Sequence, residues 1–283
     1  MENNILVSCA AGNVGSEIAR QLKGNNIPCK AADIVDVKEI LGTEFESVYL
    51  NFEDMASCKK AFTGIKKLFL NRPPHMVEFD DTIFPALDIA KEKGVEHIVF
   101  LSMIGVNKRV PHYKIENYLK NLGMSYTILR ASFFMQNLNT IHGEVIKSEK
   151  DLLIPAGKGK ISFIDIRDIA AVAVKVLSET GERFVNKTLN LTGSEALSFY
   201  DVSEIMTKVL GEEIKYSNPK SKIFAKVMTS YGFPKDIIKV MKMIYLIVKL
   251  GKAGDLYNDT EEILGREPIK MKQYIQDYAS CWR

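Results

Sequence analysis

The fold is decided near the start of the sequence, by the run Ile5-Leu6-Val7-Ser8-Cys9-Ala10-Ala11-Gly12-Asn13-Val14-Gly15. Its apolar first part predicts a strand, and the periodic stretch 14–23 predicts a helix that ends near Gly24. A turn of small residues between a strand and a helix presents backbone N–H groups at the helix N-terminus, where a pyrophosphate can bind. The run therefore predicts a dinucleotide-binding turn, and a tight turn without a ligand is the structural alternative.

The two glycines of this turn have different expected tasks. Gly12 would let the backbone approach the pyrophosphate, and Gly15 would let the helix pack closely on the sheet. The remaining backbone contacts to the cofactor are predicted at the other turn residues, which are Cys9, Ala10, Ala11, Asn13 and Val14.

Two residues of the next strand bear on which cofactor binds. Asp33 follows Gly15 by 18 residues, where a carboxylate can accept hydrogen bonds from an adenosine ribose and would repel a 2′-phosphate. Lys30 argues the other way, because an ammonium can pair with phosphate. The sequence favours NAD over NADP slightly and leaves both open.

Strand and helix patterns alternate along the first half of the chain. The later apolar runs predict strands at 28–33, 47–52, 67–70, 97–102, 125–130, 161–166 and 188–192. Between them, helical patterns occur at 55–63, 80–93, 111–122 and 168–178. This rhythm predicts an α/β fold, a Rossmann-type doubly wound parallel sheet. Residues 1–193 would form the NAD(P)-binding domain, and residues 194–283 a smaller, mainly helical lobe that shapes the site for a substrate or partner.

Composition is typical of a soluble globular protein, with 283 residues, 46% hydrophobic and 26% charged. A net charge of +3 predicts no nucleic-acid partner. Four scattered cysteines without C-x-x-C spacing and histidines without ligand spacing predict no metal site. The first residues do not read as a signal peptide, so a cytoplasmic location is expected. The apolar stretch 237–250 is interrupted by three lysines, which predicts an amphipathic helix and no membrane partner.

Motifs in a shared order over more than 200 residues resemble the NmrA-like family of atypical short-chain dehydrogenases. The family's G-x-x-G-x-x-G turn corresponds to residues 9–15, with Cys9 replacing the first glycine. Its T-x-L-R-x-x-x-F-x-x-N run corresponds to 127–137, its F-I-D-x-x-D-I-A segment to 163–170, and its G-R-x-P to 265–268. The resemblance implies NAD(P)-dependent quinone or dye reductases, or redox-sensing regulators. A Cβ at Cys9 would crowd the pyrophosphate.

The resemblance also implies further site residues. Asn71 and Arg72 correspond to the loop beside the cofactor, and Ser102 to the residue near the nicotinamide. Short-chain dehydrogenases usually carry a Tyr-x-x-x-Lys pair, but in this segment His112 stands at the lysine position. With an unperturbed pKa of about 6.5, a histidine there could hydrogen-bond the ribose or donate a proton. Tyr113 is the second catalytic candidate, and an ordinary helix-terminal histidine is the structural alternative.

The acceptor would be a small conjugated molecule such as a quinone, with its pocket lined by Phe133, Phe134, Met135 and Asn137. Core packing is the alternative role of these residues. Whether the chain is an enzyme stays open: an NAD(P)H-dependent reductase is expected first, an NAD(P)-binding redox sensor without turnover second, and a sugar-nucleotide epimerase-like protein third. A homodimer is compatible with the sequence.

Overall fold

The structure is a computed structural model that describes residues 4–283, and the expectation about a leader falls partly on residues 1–3, outside the described range. Nine strands are present in the described chain: β1 Ile5–Ser8, β2 Lys30–Asp33, β3 Glu46–Tyr49, β4 Lys67–Leu70, β5 His97–Met103, β6 Ser125–Ala131, β7 Lys160–Ile161, β8 Lys187–Leu191 and β9 Leu197–Ser198. The same range contains twelve α-helices. The first seven are α1 Asn13–Gly24, α2 Lys38–Leu41, α3 Met55–Ala61, α4 Ile83–Glu92, α5 Pro111–Asn121, α6 Gly143–Glu149 and α7 Ile166–Ser178. The last five are α8 Phe199–Leu210, α9 Ser221–Ser230, α10 Lys235–Lys249, α11 Asp259–Leu264 and α12 Met271–Asp277.

A parallel sheet confirms the predicted fold class. In the described chain it has seven strands in the order β3-β2-β1-β4-β5-β6-β8, and every neighbouring pair is parallel. The order runs outward from β1 in one direction and from β4 in the other, so the topological switch point lies between these two strands. In sheets of this kind ligands bind at the carboxyl ends of the strands at the switch point.

The central strands are buried over their whole length, which explains their continuous apolar runs. All four residues of β1 and six of the seven residues of β5 are buried. Strands covered by helices on both faces need apolar side chains on both faces. Helices α1 and α7 pack on each other in this layer.

The chain divides into two compact units, each built from two separate segments. The first unit comprises Met1–Ala131 and Ile166–Leu191, and the second Ser132–Asp165 and Thr192–Arg283. The domain prediction placed one boundary after residue 193, whereas the packing assigns residues 132–165 to the second unit. Apolar residues of that segment, among them Ile146 and Ile154, belong to one buried cluster. The same cluster contains Phe224 of α9 and Trp282 near the end of the chain.

The predicted strand over 161–166 is wrong in extent. Only Lys160–Ile161 forms a strand, which pairs antiparallel with β9, and α7 already begins at Ile166. Phe163 and Ile164 are buried in the second unit. Their apolar character therefore reflects burial in that core and not membership of the main sheet.

Candidate functional site

The loops that follow β1 and β4 meet at the switch point. The backbone N–H of Asn71, directly after β4, donates to Ser8 Oγ at the end of β1 over 2.9 Å. The residues expected on the cofactor, the glycine turn and the Asn71-Arg72 loop, thus lie together at one edge of the sheet.

The glycine turn is tightly folded on itself. Gly12 N–H donates to the Cys9 carbonyl over 3.0 Å, and Cys9 has φ 51°, in the left-handed region that favours glycine. A Cβ on Gly15 would lie 2.3 Å from the Cys9 oxygen and 2.9 Å from the Ala10 Cα. Only glycine fits at position 15, because the first turn of α1 presses against the backbone of the turn.

Helix α1 begins without a side-chain cap. Its N-cap is Gly12, which has no side chain to accept from the first turn. The N–H groups of the first turn of a helix have no acceptor within the helix, and the helix dipole places positive charge there. The turn therefore presents unpaired donors at a position where a phosphate group would satisfy them.

The side chain of Cys9 is held against the neighbouring loop. Its Sγ donates to the Asn71 carbonyl over 3.2 Å. Burial and the nearby Asp33 carboxylate raise the pKa of the Cys9 thiol to about 12. At neutral pH the thiol stays protonated, so Cys9 has little nucleophilic character.

The two residues expected to select the cofactor lie in different places. Asp33, at the carboxyl end of β2, accepts from Ala11 N–H at 3.0 Å and from Ile34 N–H at 2.8 Å. Lys30 is the first residue of β2 and forms an ion pair with Glu46, with 3.2 Å between Nζ and Oε1. The structure brings Asp33 to the glycine turn and leaves Lys30 at the opposite end of the strand.

Arg72 organises its own loop. Its Nη1 donates to the carbonyls of Pro73 and Pro74, each over 2.9 Å, and to that of Met76. Its Nε is buried without a hydrogen-bond partner in the described chain. Burial lowers the pKa of the guanidinium, which nevertheless stays charged at neutral pH. The loop after β4 therefore places a fixed positive charge beside the turn.

A buried network lies under the ends of β5 and β6. Glu116, 1% exposed on α5, accepts from Ser102 Oγ at 2.6 Å and from Arg130 Nε and Nη2 at 2.9 and 2.6 Å. Burial alone would raise the pKa of Glu116, but the hydrogen bonds from Arg130 and Ser102 outweigh it and lower the pKa. Sequence reasoning placed Ser102 near the nicotinamide but missed this network.

His112 is the second residue of α5 and is largely enclosed. Its ring centroid lies 6.1 Å from that of Phe100, and its Nδ1 is buried without a hydrogen-bond partner among the described residues. Burial and the charge of Arg72 lower the pKa of His112 to about 4, while Glu116 acts in the opposite direction. The imidazole is neutral at pH 7, so the expected proton donation by an imidazolium does not fit this environment. A neutral ring can still donate or accept a hydrogen bond.

Tyr113 follows on the same helix and is half-buried. Its backbone N–H donates to Val110 O, and its hydroxyl has no hydrogen bond to any described residue. The structure thus places both catalytic candidates on the first turn of α5, in the same unit as the glycine turn.

The four predicted pocket residues fall in the second unit. Phe133 and Phe134 are half-buried, and Phe134 bridges to Ile164. Met135 is buried in the core of this unit, where its N–H donates to Ile164 O over 2.9 Å. Asn137 O accepts from two following N–H groups. Core packing describes Met135 better than a lining role does.

The Tyr-x-x-x-Lys spacing occurs elsewhere in the chain, at Tyr216/Lys220, Tyr231/Lys235 and Tyr245/Lys249. All three pairs lie in the second unit. Tyr245 is buried, and its hydroxyl lies 2.6 Å from His142 Nε2. Burial raises the pKa of Tyr245 and lowers that of His142 to about 4. This pair was not predicted, because the two residues are 103 positions apart.

The chain resembles known proteins in sequence and in fold. The chain is 27% identical over 288 aligned residues to the NAD(P)H azoreductase of Xenophilus azovorans, covering 98% of this chain and 99% of that protein. It resembles the NADPH-dependent quinone oxidoreductase of Escherichia coli in complex with NADPH, with a TM-score of 0.86, 21% identity, and coverage of 97% and 99%. It also resembles a structure from Staphylococcus aureus described as a nucleoside-diphosphate-sugar epimerase, with a TM-score of 0.82, 22% identity, and coverage of 96% and 99%. At such identities the structural likeness shows the fold alone.

The NmrA-like family profile matches residues 1–278, nearly the whole chain. The motifs that led to this resemblance all lie inside the match. The chain belongs to the NmrA-like family.

Proposed function

We propose that this protein is an NAD(P)H-dependent reductase of small, flat, conjugated acceptors such as quinones. The observation that carries the proposal is the buried, unpartnered Nδ1 of neutral His112 in the unit that also holds the uncapped glycine turn. A buried polar atom without a partner is unfavourable unless a ligand completes its hydrogen bonding. The relative from Xenophilus azovorans is an NAD(P)H azoreductase, which supports the same reaction class.

The residues present fit a dinucleotide. The small side chains from Cys9 to Gly15 and the free N–H groups in the first turn of α1 would hold the pyrophosphate, and Asp33 the adenosine ribose. Asn71, Arg72, Ser102 and His112 would hold the nicotinamide end. The thiol of Cys9 is hydrogen-bonded to the Asn71 carbonyl, so the end of this side chain is held at the neighbouring loop.

We favour NADH over NADPH. The carboxylate of Asp33 lies against the glycine turn, where it would accept from ribose hydroxyls and repel a 2′-phosphate. Lys30, the residue that argued for NADPH, is paired with Glu46 at the other end of β2.

Hydride transfer to a conjugated acceptor requires few protein groups. The nicotinamide, when bound, supplies the hydride. Neutral His112 would orient the ring end of the cofactor by a hydrogen bond, since its low pKa leaves no imidazolium at pH 7. A quinone that accepts hydride carries its charge on a phenolic oxygen, and the pKa of a phenol, about 10, lets that oxygen take its proton from water. The half-buried Tyr113 is the protein group that could supply that proton instead.

A lining role of Phe133, Phe134 and Asn137 in the acceptor pocket stays a prediction. A homodimer and a cytoplasmic location stay predictions. Among the described residues no helix is long and apolar enough to cross a membrane.

The direct test is turnover. Purified protein with NADH or NADPH is screened against quinones, azo dyes and triphenylmethane dyes, beside His112→Asn and the control His75→Asn at an exposed site. We expect reduction by the wild type and the His75 variant, and a loss of about tenfold or more in kcat/KM for His112→Asn. Because the pKa of His112 is about 4, the wild-type rate should not follow a histidine titration between pH 6 and 8. Cofactor binding without turnover on any acceptor would replace the reductase with a redox-sensing role.

A further inference from the structure

Helix α10, Lys235–Lys249, is apolar on two opposite faces. One face carries Ile238, Met241, Tyr245 and Val248, which are buried in the core of the second unit. At 3.6 residues per turn these positions share one side of the helix. Core packing therefore explains only half of the apolar residues of α10.

The other face of α10 and the residue after it expose a second apolar set to solvent. Met243, Leu246 and Leu250 are 56%, 54% and 63% exposed. The full set, which we call the α10 stripe, is Ile237, Val240, Met243, Leu246, Ile247 and Leu250. Single exposed apolar residues are common on soluble proteins, but six among residues 237–250, in α10 and directly after it, indicate an interaction surface.

Positive charge is concentrated in the segment that carries the α10 stripe. Residues 220–252, which include α9 and α10, contain eight lysines and one acidic residue, Asp236, a formal charge of +7 in a chain whose total is +3. None of these eight lysines forms an ion pair with a residue in the described range 4–283. On α10, Lys235, Lys239, Lys242 and Lys249 recur at intervals of four, three and seven, so they form one line beside the stripe.

We propose that the α10 stripe docks on a bilayer surface that contains anionic lipids. Helices that lie in the membrane interface combine a large apolar face with lysines at its border, and each lysine near an anionic surface adds to the attraction. The helix would lie on the membrane and not span it, in agreement with its length and its lysines. The expectation of no membrane partner rested on the absence of a membrane-spanning segment. Docking on the membrane surface does not require such a segment.

The charge pattern argues against the other occupants of this face. A second copy of the chain packed on this face would bring the +7 charge of its own residues 220–252 against the same segment, which opposes association. A nucleic acid would use the lysines but would leave the α10 stripe exposed, because phosphate contacts need no apolar surface. An anionic lipid surface with an apolar interior satisfies both sets of residues.

The proposal stands apart from the reductase activity and is tested without cofactor. The full chain is floated with vesicles of phosphatidylcholine alone and of phosphatidylcholine with phosphatidylglycerol, at low salt and at roughly 0.5 M NaCl. We expect binding to the anionic vesicles at low salt and at least tenfold less to neutral ones. The double variant Met243→Gln/Leu246→Gln and the charge reversal Lys235→Glu/Lys239→Glu should each lower the affinity at least about tenfold.

Matched controls are Ile40→Gln/Tyr49→Gln, two apolar residues of similar exposure, and Lys59→Glu/Lys60→Glu, two exposed lysines on α3. Both should bind vesicles as the wild type does, and thermal melts confirm that every variant is folded. Equal binding by the α10 variants and the wild type, or no binding to anionic vesicles, overturns the proposal. A dimeric wild type also overturns the proposal if sedimentation equilibrium shows that Met243→Gln/Leu246→Gln is a monomer. A second copy of the chain would then cover the α10 stripe.

Discussion

Asp33 Oδ2 accepts a hydrogen bond from Ala11 N–H over 3.0 Å, which ties the carboxyl end of β2 to the glycine turn. The contact fixes a negative charge beside the place where the adenosine ribose is expected. One side chain thus links the local structure of the turn to the choice of cofactor.

Replacing Asp33 should change that choice. Asp33→Asn keeps an oxygen for Ala11 but removes the charge, so we expect NADPH affinity to rise about tenfold, equivalent to about 1.4 kcal/mol. NADH affinity should fall, because the amide is a weaker acceptor for ribose hydroxyls. Fluorescence titration with both cofactors measures the ratio, with the exposed Glu53→Gln as a control for net charge. Unchanged selectivity would remove Asp33 from the ribose site.

Gly15 should be irreplaceable for stability. A Cβ there would lie 2.3 Å from the Cys9 oxygen, so Gly15→Ala should lower the free energy of unfolding by about 1–3 kcal/mol. Gly24 ends the same helix and has nothing within 4 Å of an added Cβ. Gly24→Ala should be neutral or stabilising by less than about 1 kcal/mol in the same urea titrations. Equal effects at both sites would show that α1 does not press on the turn.

Stability should fall as pH drops below neutrality. Burial lowers the pKa values of His97 and His142, each to about 4, whereas an unfolded histidine titrates near 6.5. Between pH 6.5 and 4 the unfolded chain therefore binds protons that the folded chain excludes. Each such histidine destabilises the fold by up to about 1.4 kcal/mol per pH unit in that window, and its effect is absent above it.

The variant His142→Gln isolates one of these contributions. It should lose the bond to Tyr245 and be less stable at pH 7, yet show a shallower dependence between pH 6.5 and 5. His75→Gln, at an exposed position, should leave the slope unchanged. Urea unfolding at three pH values gives the free energy of unfolding at pH 7 and its dependence on pH. If that pH dependence is the same for His142→Gln and the wild type, His142 is not buried as a neutral ring.

Glu116 should contribute much more to stability than exposed acids do. Glu116→Gln removes the negative charge that pairs with the partly buried Arg130, which should cost about 3 kcal/mol. The exposed pair of Lys66 and Glu96 offers the comparison, because Glu96→Gln should cost less than about 1 kcal/mol. The lowered pKa of Glu116 stabilises the fold above the unfolded pKa, and this contribution is lost as pH falls through the folded value. Glu116→Gln should not show this loss of stability at acid pH. An equal loss of stability in the variant and the wild type would contradict the lowered pKa of Glu116.

Much of the fold could be predicted because the signals were local. Strands such as β1 and β4 are short apolar runs with a turn after them, and glycines after α4 and α5 mark helix ends. The amphipathic helix expected over 237–250 corresponds to α10, Lys235–Lys249, for the same reason.

The parts that could not be predicted depend on residues distant in sequence. Ser102 and Arg130 become neighbours only through the register of β5 on β6, and Glu116 joins them from α5. The low pKa of His112 depends on burial and on Arg72, 40 positions earlier. Likewise, periodicity marked α10 as amphipathic but could not show that apolar residues also face solvent.

The central claim is that the glycine turn binds a dinucleotide, and calorimetric titration of NADH into the wild type and Gly12→Asp tests it most directly. Gly24→Asp serves as the control, because it adds the same charge at the other end of α1, where an added Cβ has nothing within 4 Å. We predict binding by the wild type and by Gly24→Asp, and none by Gly12→Asp, whose carboxylate would oppose the pyrophosphate at the uncapped N-terminus. Equal binding by all three proteins, or no binding of NADH or NADPH to the wild type, would contradict the account.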